Sequence, residues 1–70
     1  MNLTYLIRSQ TAKVNQRFTS TDGRVFTVVQ TQHLSNGDYF IVIQFDDDGS
    51  LEKIGTESGR IFRRAVTFKS

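Results

Sequence analysis

The chain has 70 residues, no cysteine, no proline, a single histidine and a net charge of +2. This length allows one domain, residues 1–70, whose core removes only about 60% of the unfolded surface from water. Without cysteine no disulfide can form, and a single histidine disfavours a structural zinc site, so we expect neither a metal nor a cofactor. No run approaches the ~20 apolar residues of a membrane span, and no leader-like segment begins the chain. We therefore expect a cytoplasmic protein without a membrane partner.

In the N-terminal segment, residues 3–7, large apolar side chains recur at every second position. This pattern predicts a strand with Leu3, Tyr5 and Ile7 on one face. Residues 9–16 are compatible with a short helical turn or with a loop that leads to the next strand.

Glycine-containing turns divide the rest of the chain into strands. A three-residue loop with Gly23 in the left-handed conformation would place Phe18 opposite Phe26. Asn36 and Gly37 tolerate positive φ at both positions of a turn, so they predict a tight hairpin. Two further turns complete the series: residues 47–50 and residues 56–59.

The strand predicted over residues 39–45 is apolar on both faces, with Tyr39 and Ile41 on one face and Phe40 and Val42 on the other. Such a strand lies at the centre of a sheet or wraps into a barrel, because other elements must cover its second face. The last predicted strand covers residues 60–68. Its alternation places three apolar side chains on one side, with Arg64 among them: Phe62, Val66 and Phe68.

The predicted fold class is all-β: an antiparallel meander of five to six strands that closes into a small SH3-like barrel. Closure would remove the free edges of the sheet, which otherwise invite aggregation. The hairpin pattern resembles small SH3-like, Tudor-like and KOW-like barrels in general, and no family-specific motif accompanies it. The alternative is an open antiparallel sheet covered by one short helix.

The motifs that suggest metal binding or catalysis are incomplete. If Gly49 takes the sixth position of a calcium-binding loop, Gln44 and Gly55 fall at the first and last positions, so both end ligands are missing. His33 lies near the end of a strand, without the nucleophile or paired carboxylates that a general base needs around it. The sequence therefore predicts no catalytic residue and no metal site.

Charge is distributed unevenly, since residues 1–35 and 60–70 are basic and residues 36–59 are acidic. In a small barrel the first and last strands lie close together, which would gather the basic residues on one side, away from the acidic turn. Arginine interleaved with aromatic residues is typical of nucleic-acid grooves, where the cations contact phosphates. The first hypothesis is a non-enzymatic binding module that contacts nucleic acid through a basic face. The residues of this face would be Arg60, Arg63, Arg64, Lys69, Arg8 and Arg17.

The second hypothesis is a small regulator or inhibitor, of the kind found in phages and mobile elements, that docks on a larger protein. It would bind through a sheet edge or through an acidic surface. That surface would comprise Asp46, Asp47, Asp48 and Glu52. A third hypothesis is a homodimer, because a core this small gains stability from a subunit interface.

Overall fold

The computed structural model describes residues 2–66, which form one helix and five strands. The strands form a single antiparallel sheet in the order β1-β2-β3-β4-β5, so each strand pairs with its neighbours in the sequence. The helix packs across one face of this sheet and contacts β3 and β4. The elements are α1 (Leu3–Ser9), β1 (Arg17–Thr19), β2 (Val25–His33), β3 (Tyr39–Phe45), β4 (Leu51–Glu57) and β5 (Arg60–Val66).

The first element is a helix, so the prediction of a strand in this segment was wrong. The side chain of Asn2 accepts a hydrogen bond from the backbone N–H two residues later, at 2.8 Å, and caps the helix. Leu3, Leu6 and Ile7 follow the spacing of one helix face and pack into the core, whereas Tyr5 is 67% exposed. Alternation over five residues fits a strand as well as a helix. The cap and the core contacts favour the helix.

The helix ends at Gln10, whose left-handed backbone (φ 54°) redirects the chain. A loop then leads to β1, so the helical turn considered for residues 9–16 does not form as a separate element. This loop is tied to the sheet, because the backbone N–H of Asn15 donates to the carbonyl of Val28 at 2.8 Å.

The predicted register of the first hairpin is confirmed. Phe18 pairs with Phe26, and their ring centroids lie 5.7 Å apart. The backbone N–H of Ser20 donates to the carbonyl of Arg24 at 2.8 Å, which closes the three-residue loop. Gly23 has a φ of 89°, as this loop requires.

The predicted hairpin at Asn36 and Gly37 also forms, with one difference in the turn. Only Gly37 has a positive φ, of 91°. The loop has three residues, and the backbone N–H of Leu34 donates to the carbonyl of Asp38 at 2.8 Å. The predicted turn at residues 47–50 lies between β3 and β4, as expected, whereas the turn between β4 and β5 is shorter than the predicted 56–59 and consists of Ser58 and Gly59, because Thr56 and Glu57 belong to β4.

β3 lies at the centre of the sheet, as its two apolar faces predict. The side chains that it directs toward α1 are at most 1% exposed and form the middle of the core. Leu6 and Ile7 of α1 and Ile54 of β4 pack around them. These core residues of β3 are Tyr39, Ile41, Ile43 and Phe45.

β1 and β5 are the edges of the sheet and do not pair with each other over residues 2–66, so the described sheet is open. This arrangement fits the alternative prediction of an open sheet with one short helix, and closure into a barrel is not confirmed. β1 has only three residues, and α1 covers the core face that a closing sheet would otherwise cover.

Candidate nucleic-acid interface

The strands β3, β4 and β5 present a second face on the side opposite α1, and we call this surface the open face. Residues that pair directly across neighbouring strands point to the same face of a sheet. Phe40 pairs with Gly55 and Gly55 pairs with Phe62, so both rings lie on this face. Across residues 2–66, no helix or strand covers it. Its half-buried side chains are Phe40, Val42, Leu51, Lys53, Phe62 and Val66.

Two cations lie next to each other on the open face. Lys53 of β4 pairs directly with Arg64 of β5, so like charges face each other across neighbouring strands, which is an unfavourable arrangement. Arg64 has one ion pair within residues 2–66, in which its Nη2 lies 3.5 Å from a carboxylate oxygen of the exposed Glu57. Lys53 has no carboxylate within ion-pair distance among residues 2–66. The open face therefore holds positive charge that its own side chains only partly neutralise.

Both cations contact aromatic rings. The Nζ atom of Lys53 lies 4.2 Å from the ring centroid of Phe40 and 5.9 Å from that of Phe62. The guanidinium carbon of Arg64 lies 4.7 Å from the ring centroid of Phe62. Cation–π attraction at exposed sites is worth about 0.5–1 kcal/mol, so the rings hold the cations at this position.

A shallow pocket of about 450 Å³ opens between the aromatic rings and the β2–β3 loop. Its volume is in the range of small-ligand sites, roughly 300–1,000 Å³. Asp38 contributes to the pocket wall, but its carboxylate already accepts hydrogen bonds from side chains and backbone of the two adjoining turns. The other lining side chains of β3, β4 and β5 are Phe40, Lys53, Thr56, Glu57, Phe62 and Arg64.

The described members of the predicted basic set do not share one surface. Arg60 and Arg64 alternate with Phe62 onto the open face, whereas Arg63 projects from the opposite face of β5. Arg63 donates from Nε and Nη2 to the two carboxylate oxygens of Glu52, at 2.5 and 2.9 Å. Arg8 belongs to α1, on the covered side of the sheet. Two predicted residues of the C-terminal strand lie outside the described range: Phe68 and Lys69.

Neighbouring arginines neutralise the acidic turn. Arg17 forms an ion pair with Asp46. Arg24 donates from Nε and Nη2 to the two carboxylate oxygens of Asp47, at 2.9 and 3.0 Å, and its Nη2 lies 3.5 Å from Asp48. Because of this hydrogen bonding, the pKa of Asp47 is lowered and the pKa of Arg24 is raised. The expectation that the acidic turn lies apart from the N-terminal basic residues was wrong, because antiparallel pairing brings the start of β2 beside the end of β3.

Sequence reasoning missed Lys53 and Phe40 as members of a possible binding surface. Lys53 lies in the acidic segment of the chain, and Phe40 was interpreted only as part of a central strand. The alternation of β4 does carry a signal, because Lys53 falls on the face opposite the buried Ile54. That signal became specific only once the register with Phe62 and Arg64 was known.

His33 is exposed at the end of β2, and its ring centroid lies 4.6 Å from that of Tyr39. Residues 2–66 contain no group of three or more histidine, aspartate or glutamate side chains that could hold a metal ion. Over the same range, no helix is long and apolar enough to cross a membrane.

Comparisons of the chain with protein-family models, with curated proteins and with solved structures gave no match.

Proposed function

We propose that this chain is a non-enzymatic module that binds the phosphate backbone of nucleic acid through its open face. The observation that carries this proposal is the pairing of Lys53 with Arg64 on one uncovered face beside two aromatic rings. Two facing cations with one exposed carboxylate near them repel each other, and a phosphate placed between them would relieve that repulsion. Arg60, on the same face, would extend the row of cations along β5.

Of the cations predicted from the sequence, this proposal retains Arg60 and Arg64 and adds Lys53. Arg17 and Arg63 are each engaged with a carboxylate, and Arg63 donates to its carboxylate from both Nε and Nη2. A phosphate would have to displace those carboxylates before it could bind there. Lys69 stays a predicted contact, since it follows β5 in the chain.

The test is a fluorescence-anisotropy titration with labelled DNA and RNA, single- and double-stranded, at about 50 and 200 mM salt. Binding should weaken steeply with salt, because each phosphate that is neutralised releases counterions. In the double variant Arg60→Gln/Arg64→Gln, affinity should fall, and the slope of log K against log salt should be about 1.5–2 units shallower.

The matched control removes the same charge elsewhere, in the double variant Arg8→Gln/Lys13→Gln, which changes α1 and the loop that follows it. This control should bind like the unmodified chain. Equal losses in the two double variants would show that only net charge matters and would overturn the assignment to the open face. No binding at 50 mM salt would overturn the proposal itself.

The protein-regulator hypothesis has less support in its acidic-surface form. Asp46, Asp47 and Asp48 are paired with arginines, and Glu52 is paired with Arg63, so this surface offers a partner little unpaired negative charge. In its sheet-edge form the hypothesis would use β5, an edge strand of seven residues. Loss of co-purification with a protein partner after charge reversal at Asp46, Asp47 and Asp48 would favour the acidic form.

A further inference from the structure

The pocket on the open face has features that phosphate binding alone does not use. Two aromatic side chains, Phe40 and Phe62, form part of its wall, and both are half-buried. A surface that contacted only phosphates would need cations and hydrogen-bond donors. Beyond their contact with the cations, the rings have no role in a purely electrostatic contact.

The two rings lie in one row across three strands, with the buried Gly55 between them. A side chain at Gly55 would displace β3, because a Cβ there would lie 2.4 Å from the Cβ of Phe40. Glycine thus allows β3 and β4 to approach closely, and because it has no side chain, residue 55 does not fill the space between the rings. The aromatic groups remain accessible from the pocket.

The cations lie over these rings. The Nζ atom of Lys53 lies within 6 Å of both ring centroids, at 4.2 and 5.9 Å, and Arg64 contacts Phe62. A nucleotide has a planar base at one end and a charged phosphate at the other, with a sugar between them. A phenylalanine ring next to a cation can therefore bind both ends of one nucleotide, the ring stacking on the base and the cation contacting the phosphate. This combination of stacking ring and basic groove is how proteins bind single strands without reading their sequence.

We infer that the open face selects single-stranded nucleic acid and that the pocket between Phe40 and Phe62 receives one unstacked base. This inference rests on the proposed function, and it adds the class of nucleic acid and the role of the rings. In a duplex both faces of each base are covered by neighbouring base pairs, so the rings would have nothing to stack on. Lys53 and Arg64 would contact a phosphate next to the inserted base.

Three labelled probes test the inference on the unmodified protein: a 12-nucleotide oligothymidine, a duplex of equal length, and an abasic oligonucleotide with the same number of phosphates. Oligothymidine should bind at least ten-fold more tightly than either of the others. Equal affinity for oligothymidine and for the abasic strand would overturn the inference while leaving the proposed phosphate binding intact. If none of the three binds at about 50 mM salt, the inference and the proposed function both fail.

Variants separate stacking from charge. Phe62→Leu should weaken binding of oligothymidine about ten-fold with an unchanged salt slope, because it removes a stacking surface and no charge. Phe62→Tyr keeps an aromatic ring at this position and should bind oligothymidine as tightly as the unmodified protein does. The matched control is Phe18→Leu, the same substitution on the covered face, which should leave affinity unchanged as long as the protein is folded. Affinity that is insensitive to Phe62→Leu would overturn the role assigned to the ring.

Discussion

The buried carboxylate of Asp38 accepts a hydrogen bond from the backbone N–H of Ser58 at 3.1 Å, which ties the β2–β3 loop to the β4–β5 turn. The hydroxyl of Thr56 donates to the same carboxylate at 3.0 Å and accepts from the backbone N–H of Tyr39 at 3.1 Å. These hydrogen bonds, that from Ser58 foremost, lower the pKa of Asp38 because they stabilise its charged form. One side chain thus fixes the position of two loops beside the open face.

Replacing Asp38 with asparagine should lower the melting temperature by several degrees at pH 7. Because folding lowers the pKa of Asp38, the unfolded chain binds more protons around pH 3–4, where an ordinary aspartate titrates at about 3.9. The stabilisation is therefore fully present above about pH 4 and is lost as the pH falls through the lower pKa of the folded state. Thermal melts of the unmodified protein and of Asp38→Asn, from pH 7 to pH 2.5, measure this loss. The difference between their melting temperatures should narrow below about pH 4.

The control for that experiment is Glu57→Gln, since the Glu57 side chain is 72% exposed and its one ion pair is long. It should melt close to the unmodified protein at every pH. A difference in melting temperature between Asp38→Asn and the unmodified protein that stays constant down to pH 2.5 would contradict the role of the charged carboxylate.

Gly55→Ala should destabilise the fold by about 1–3 kcal/mol through overpacking. The added Cβ would lie 2.3 Å from the carbonyl oxygen of Tyr39 and 2.4 Å from the Cβ of Phe40, and both belong to the central strand. Urea denaturation followed by circular dichroism measures the loss. Ser50→Ala, an exposed change in the β3–β4 turn, should have little effect, and equal stability of the two variants would refute the close approach at Gly55.

The ion pair between Arg63 and Glu52 should show a coupling free energy of about 0.5–1 kcal/mol in a double-mutant cycle with glutamine at both positions. Its geometry is bidentate, and the Glu52 side chain is only 19% exposed. The pair of Arg64 with Glu57 is the internal comparison, because it is longer and both side chains are more than 60% exposed. Its coupling should be close to zero, and similar coupling in the two pairs would argue against the difference in geometry.

Asn2→Ala should cost about 1 kcal/mol of stability, since it removes the side-chain acceptor that caps α1. Denaturant unfolding measures the loss. Asn2→Asp keeps an acceptor at the same position and should retain the stability of the unmodified chain. Equal destabilisation by both substitutions would mean that the cap does not contribute.

Local signals were sufficient for much of the sheet. Gly23 and Gly37 have the positive φ values that their loops require, and these loops place Phe18 opposite Phe26 and join β2 to β3. Such turns depend on the conformational preferences of two or three adjacent residues, so they can be predicted without knowledge of the rest of the chain. The central position of β3 followed in the same way from its two apolar faces.

The N-terminal helix and the candidate interface depended on contacts between distant parts of the chain. Leu3, Leu6 and Ile7 match a helix face, and the same short segment also alternates like a strand, so packing against the sheet decides between them. The pairing of Lys53 with Arg64 likewise depends on the register between β4 and β5, and it joins cations that belong to oppositely charged segments of the sequence. The sequence alone determined the turns, the central strand and the charge of each segment. Which charges meet, and on which face, was decided only by the tertiary structure, because a one-residue change of register moves every side chain of a strand to the other face of the sheet.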